Sequence, residues 1–338
     1  MNATARRRLR ALGFRVGDLA TGPRNAISDV AGVRVGHVTL VRDLAPGIAV
    51  RTGVTALVPP GDVFAETLPA ASFVLNGHGK ALGLVQIAEL GTLETPILLT
   101  NTLSVGAVAD GLVRWTLEGH RDARTVNAVV AECNDAYLND VRGLHVRPEH
   151  AREAIAVACA DVAEGSVGVG TGMSCFGYKG GIGTSSRRGE HMLGALVLAN
   201  FGRERDLALH GWLRRGAGPA DTAAAPDAGS CIVILATDAP LDARQLRRLA
   251  VRGALGIARS GGYAANGSGD IVIAFSTVRA RPPLVDDSSA MDELFRMAPD
   301  AVLESILNAL CVADRMAAHE GHVREAFPYS LLNGAARS

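Results

Sequence analysis

The chain is poor in aromatic residues: Phe, Trp and Tyr make up 4% of its 338 positions. Aliphatic side chains must therefore fill its core, and 48% of the residues are hydrophobic, enough for an extended one. Net charge is absent, with 34 basic residues against 34 acidic. That balance leaves no basic surplus for nucleic acid or an anionic membrane. Cysteines are few (133, 159, 175, 231 and 311), and no Cys-x-x-Cys pair occurs. Neither a disulfide framework nor a zinc knuckle is supported, and reduced, buried thiols are expected for the several that lie inside apolar runs. No apolar run approaches a membrane span. Ala5-Arg-Arg-Arg-Leu-Arg10 is basic, but no apolar signal core follows it. The expectation is a soluble cytoplasmic protein with no metal, no cofactor and no nucleic-acid or membrane partner.

Glycine is plentiful, at 39 residues. With so few rings, it points to tight turns and close backbone approaches. Apolar runs at 54–58, 72–75, 96–99, 126–131, 193–199, 231–237 and 271–276 mostly lack strict alternation. Strands buried on both faces read that way. Helices are expected over 104–118, over 149–164 after Pro148, over 241–259 and over 300–319. In the third, Leu246, Leu249, Ala250, Gly253 and Ile257 share one face. In the fourth, Leu303, Ile306, Leu307 and Leu310 form a stripe that reads as core packing.

A seam stands out at Gly229–Ser230. The Ala-, Gly-, Pro- and Asp-rich stretch 214–229 reads as a solvent-exposed linker. It stops at a serine, and the strand-like Cys231-Ile-Val-Ile-Leu-Ala-Thr237 follows. An N-terminal nucleophile enzyme is stored in this form before self-cleavage. A break there would give Ser230 a free α-amine to act as base for its own hydroxyl.

Other polar residues lie at strand ends. Ser268 and Asp270 in Asn266-Gly-Ser-Gly-Asp270 precede an apolar run. Regular strand spacing would put both on one side, where the carboxylate could orient a hydroxyl relay. Taken alone, the segment also reads as an ordinary turn. Asn200 closes the run Leu193–Ala199, and its amide could donate to an oxyanion or merely cap the strand. Glu132 and Tyr137, after the strand expected over 126–131, could grip a cationic amine or belong to a solvated loop. The glycine-dense segment Val167–Arg187 contains Gly168-x-Gly170 but lacks a following Gly-Lys-[Ser/Thr]. It reads as a wall permitting close approach rather than a phosphate cradle. His319 and His322 have the wrong spacing for a zincin helix.

Together these segments resemble the L-aminopeptidase/D-esterase family, which includes the β-peptidyl aminopeptidases. The resemblance rests on Asn25-Ala-Ile-Ser-Asp-Val-Ala-Gly-Val-Arg-Val-Gly-His37, Asn76-Gly77 and Thr100-Asn-Thr-Leu-Ser-Val-Gly106. It continues through Gly170-Thr-Gly-Met-Ser-Cys-Phe-Gly177, Lys179-Gly-Gly-Ile-Gly-Thr-Ser185 and Gly229-Ser230. Ala236-Thr-Asp-Ala-Pro240 and Gly267-Ser-Gly-Asp-Ile271 complete it, so it spans roughly residues 20–330 in order. The resemblance implies an α/β fold, a four-layer α/β/β/α sandwich similar to the N-terminal nucleophile hydrolases with different connectivity. It implies self-cleavage into chains 1–229 and 230–338 that stay together as one structural domain and assemble as homotetramers.

By position, the resemblance makes Ser230 the nucleophile, Ser268 the relay hydroxyl, Asp270 its acidic support and Asn200 the oxyanion donor. Glu132, with Tyr137 nearby, would bind the free amine of a peptide, amide or ester substrate. The alternatives are a self-processing acyltransferase of the ornithine-acetyltransferase type and an uncleaved, inactive binding homologue. Lys80 departs from the family's acidic or neutral residue. Cys231 adds a softer nucleophile beside Ser230.

Overall fold

The computed structural model describes residues 5–209, 229–279 and 282–333. All but Gly229 of the linker expected over 214–229 falls outside them. The strands in chain order are β1 (Arg34–Ala45), β2 (Ile48–Val58), β3 (Leu68–Gly77), β4 (Thr92–Leu93), β5 (Ile97–Asn101) and β6 (Val129–Cys133). There follow β7 (Ser174–Cys175), β8 (Tyr178–Lys179), β9 (Gly181–Arg188), β10 (Met192–Asn200), β11 (Ser230–Thr237) and β12 (Gly269–Ser276). A last small pair is β13 (Met316–Ala317) with β14 (Val323–Arg324). The main helices are α1 (Leu84–Leu90), α2 (Val105–Gly119), α3 (Pro148–Ala156), α4 (Ala243–Ser260) and α5 (Ser289–Val312).

Besides the two-stranded pairs β7–β8 and β13–β14, the described residues form a four-stranded sheet in the order β1-β2-β5-β6 and a six-stranded one in the order β4-β3-β12-β11-β10-β9. Every residue of β11 is buried. Its Cys231, Val233 and Leu235 meet the residues of α4 and α5, including Leu246, Leu249, Ile306 and Leu310. Ile232, Ile234 and Ala236 instead meet Val35, Leu57, Leu99 and Val129 of the smaller sheet. Burial on both faces removes any selection for alternation, which explains the unbroken apolar runs. Val108 and Leu112 of α2 and Ala154 of α3 cover the outer face of the smaller sheet against Val54, Leu98 and Val130. The layers are therefore α/β/β/α, as the resemblance implies. Each fully buried Leu, Ile or Val contributes about 1.5–3 kcal/mol.

The amphipathic helix expected over 241–259 is α4. Asp242 caps it by accepting from the Gln245 N–H, and Gln245 returns a bond to the Asp242 N–H.

Four expectations need correction. Helix 149–164 stops at Ala156, because Cys159 exchanges both backbone hydrogen bonds with Val35 and draws the chain onto β1. The last long helix, expected over 300–319, runs from Ser289, capped by Ser288, to Val312 and passes through Pro299, which sequence reading takes as a barrier. Met291, Leu294, Met297 and Ala298 are buried in the same core as α4 and hold the turns before the proline. Phe295 lies under the Arg248 and Arg252 guanidiniums. The run 126–131 pairs as β6 only from Val129, extending through Glu132 to Cys133. Finally, the glycine-dense segment contains the strand β9. The segment's glycines do permit close backbone approach, as expected: a Cβ would lie 2.2 Å from Arg51 O at Gly172, 2.5 Å from Ala199 O at Gly180 and 1.9 Å from Ser305 O at Gly183.

Candidate active site

Ser230 is the first residue of β11, in the interior of the larger sheet. It pairs with Asn200 on antiparallel β10 and with Gly269 on parallel β12. By alternation with Ile232 it faces the space between the sheets. Its Oγ accepts the Gly269 N–H at 3.1 Å. The preceding residue must be small, since a Cβ on Gly229 would sit 2.3 Å from Asn200 O and 2.5 Å from Phe201 Cα. The seam read in the sequence thus lies against the end of β10.

On that flank Asn200 is 6% exposed and its amide orientation is fixed by two backbone partners. Oδ1 accepts the Ser174 N–H at 2.8 Å, and Nδ2 donates to Asn134 O at 2.9 Å. Ser174 is held in turn by Lys179 and Arg324. The fully buried Lys179 ammonium donates to Gly170 O, Met173 O and Gly180 O, three carbonyls of the surrounding turns. Burial pushes its pKa down to about 7. Arg324 Nε donates to Ser174 Oγ at 3.1 Å.

The other flank carries the acidic groups. Asp270 is 1% exposed, beside Cys231 in the β11–β12 register and opposite Asn76 of β3. A register shift follows it, between Asp270 and Ile271. Ser268 is buried but precedes β12, in a turn closed by its N–H to Ala265 O, so strand alternation does not extend to it. Its carbonyl accepts from Asn76 Nδ2 and from the His78 N–H. These bonds press the 78–80 segment onto Gly269. A Cβ there would meet Gly79 Cα at 2.9 Å and His78 O at 3.2 Å.

Glu132 projects from β6 into the same place and is 3% exposed, not part of a solvated loop. Its Oε1 accepts the Lys80 N–H at 2.9 Å and lies 3.7 Å from Lys80 Nζ. Its buried Oε2 has no hydrogen-bond partner among the described residues. A carboxylate oxygen hidden from water without a donor is costly, and an ammonium would relieve it.

Asn200, Ser268 and Glu132 are therefore gathered with Ser230 around the end of β11, while Asp270 lies one residue further along β12, beside Cys231. Tyr137 is more remote. The residue is 39% exposed, and its ring stacks on His322 at 4.3 Å and lies under the Arg324 guanidinium at 3.7 Å. Its connection to Ser230 runs through Arg324, Ser174 and Asn200. Cys231 is no second nucleophile. It is fully buried on the helix side of β11, and burial pushes its thiol well above the usual value. Among the described residues no group of three or more His, Cys, Asp or Glu side chains is placed to hold a metal.

Sequence reasoning missed Asn134, Ser174, Lys179 and Arg324 as site supports. Only Lys179 carries a local signal, a lone lysine in a glycine-dense run without a neighbouring acid.

The profile of peptidase family S58 matches residues 25–324. The beta-peptidyl aminopeptidase BapA of Sphingosinicella microcystinivorans is 39% identical, over 92% of this chain and 87% of its own. Among solved structures, the PH0078 protein of Pyrococcus horikoshii OT3 superposes with a TM-score of 0.88 at 46% identity, covering 97% of this chain and 98% of that one. The L-aminopeptidase D-Ala-esterase/amidase of Ochrobactrum anthropi, a serine aminopeptidase described as a variant of the Ntn hydrolase fold, gives 0.85 at 35% identity, covering 98% of each chain. With a family match over most of its length and a fold shared throughout, the chain belongs to peptidase family S58 and is a hydrolase of the aminopeptidase type.

Proposed function

We propose that this aminopeptidase matures by cutting itself between Gly229 and Ser230, and that the freed Ser230 then forms an acyl-enzyme with peptides, amides or esters bearing a free amine. The observation that carries the reading is the place of Ser230: the buried first residue of an interior strand, between the fixed amide of Asn200 and the Gly269 N–H, behind a residue that must be small.

In maturation the Ser230 Oγ adds to the Gly229 carbonyl carbon and gives up its proton. The C–N bond breaks, the nitrogen of Ser230 takes a proton, and an ester joins Gly229 to Oγ. Water hydrolyses the ester, leaving a carboxylate on Gly229 and a free amine and hydroxyl on Ser230. In turnover the same Oγ attacks the substrate carbonyl, and the Ser230 amine takes the proton. Ser268 relays it and Asp270 stabilises the ammonium that forms. Asn200 Nδ2 donates to the oxyanion, with its orientation set in advance by Ser174 and Asn134. The unpartnered Oε2 of Glu132 receives the substrate's ammonium. The names of the relatives favour hydrolysis over acyl transfer to an acceptor.

Mass spectrometry of the purified protein should give two chains, 1–229 and 230–338, with Ser230 as a new N-terminus. Ser230→Ala should stay whole and lose hydrolysis of amino-acid p-nitroanilides. An intact wild-type chain that hydrolyses them, or an active Ser230→Ala variant, would remove Ser230 from the mechanism.

A further inference from the structure

We infer that Lys80 is a specificity-determining residue that selects substrates whose N-terminal residue carries a free carboxylate beside its free amine. The inference rests on the reading of Glu132 as the amine site. Lys80 Nζ lies 3.7 Å from Glu132 Oε1, too far for a hydrogen bond, and forms no other ion pair among the described residues. Its side chain is 56% exposed, so the ammonium points to the open side of a carboxylate that is otherwise buried. The lysine therefore leaves Glu132 Oε2 unsatisfied and keeps its own donors unused.

The pair is anchored next to the nucleophile. Lys80 follows Gly79, whose absent side chain lets it lie on Gly269, and Gly269 donates to Ser230 Oγ. An amine bound to Glu132 is therefore brought close to a second cation. For a substrate with a neutral N-terminal side chain the two ammonium groups repel. For one with a carboxylate on the same residue, the amine meets Glu132 and the carboxylate meets Lys80. A carboxylate of this kind occurs in an α-linked aspartyl or glutamyl residue. It occurs equally in a β-linked aspartyl residue, where the α-carboxylate stands next to the amine. Both share one charge pattern, a negative and a positive group a few ångströms apart, complementary to Glu132 and Lys80.

The test compares alanyl, α-aspartyl and β-aspartyl p-nitroanilides, with N-acetyl controls, on the processed wild-type enzyme, Lys80→Gln, Lys80→Glu and Glu132→Gln. Lys80 is largely exposed, and the extent of self-cleavage reports on folding in every variant. In the wild type, one or both aspartyl substrates should exceed the alanyl substrate in kcat/KM by about tenfold, the effect of one charged hydrogen bond. The preferred linkage identifies the source of the carboxylate. Lys80→Gln should abolish this preference through KM, and Lys80→Glu should invert it. An aspartyl-to-alanyl ratio equal in wild type and Lys80→Gln overturns the proposal. If Glu132→Gln at the same time disables all free-amine substrates, the amine site stands and only the role of Lys80 fails. If N-acetyl substrates are hydrolysed as fast as free ones, both fail.

Discussion

Replacing Asn200 by aspartate probes the site without changing its shape. The two side chains are nearly isosteric, and Oδ1 can still accept the Ser174 N–H as it does now at 2.8 Å. The other limb is the perturbation, because Nδ2 donates to Asn134 O at 2.9 Å and the substitution places an oxygen there. Two oxygens then face each other in a pocket where the residue is 6% exposed. Losing that donor and leaving a buried carbonyl unpaired should cost about 1–3 kcal/mol of stability. Protonation of the introduced carboxyl restores a donor, so the deficit should shrink as the pH is lowered. Catalysis should suffer separately. Removing one oxyanion donor lowers kcat by about two to three orders of magnitude, and a negative charge beside the oxyanion pushes toward the larger figure. The same donor serves self-cleavage, so the cleaved fraction must be measured first by mass spectrometry. kcat on alanyl p-nitroanilide is then referred to active sites titrated by the acyl burst. Asn200→Ala, which removes both partners without adding a charge, should lose kcat toward the smaller figure and exceed the stability loss. A cleaved Asn200→Asp enzyme with kcat within about threefold of wild type would refute the assignment of the oxyanion donor.

Gly269→Ala should be destabilised by about 1–3 kcal/mol in urea unfolding, because its Cβ would lie 2.9 Å from Gly79 Cα, a backbone atom that cannot rotate away. Activity of the folded fraction should fall as well, since the displaced segment carries the Lys80 N–H that Glu132 accepts; unchanged stability would contradict the contact. A pH effect is expected at Glu164, which pairs with Arg8 and accepts the Thr184 N–H but is pushed up to about 7 by burial. A carboxyl raised in the folded state stabilises it most below its unfolded value near 4.5, and the benefit disappears as the pH rises through about 7. Wild type should therefore lose stability relative to Glu164→Gln between pH 4.5 and 7, and a flat or opposite trend in urea titrations would overturn the burial argument.

The sequence makes some of this architecture legible because certain signals are local. The face Leu246, Leu249, Ala250, Gly253 and Ile257 is set by helical spacing and is buried as expected. The start of the last helix is hidden because proline reads as a stop, whereas packing against α4 carries the helix through Pro299. The strand β9 is hidden because its Gly181 and Gly183 meet the backbone of Gly165 and Ser305, a fact that lies in the partners. At the site, the linker–strand seam and the polar strand ends bring Ser230, Ser268, Asp270 and Asn200 to notice, and the order of the motifs joins them into one site. The Asn200–Ser230 pairing joins residues separated by the linker, and the Lys80–Glu132 contact joins residues 52 apart. Neither register nor long-range contact leaves a periodic trace in one sequence.

The order of the larger sheet has a consequence for how the protein is made. Strands β12 and β11 lie between β3 and β10, which precede them in the chain. A ribosome therefore releases β3 and β10 with nothing to fill the gap between them. About 4–15 s separate the synthesis of Asn200 from that of Ser276 at roughly 5–20 residues per second. Through that interval the nascent chain carries two open, apolar strand edges, the condition under which chaperones bind and neighbouring chains aggregate. Expression of this enzyme should accordingly be more sensitive to translation speed and chaperone supply than its finished, well-buried core suggests.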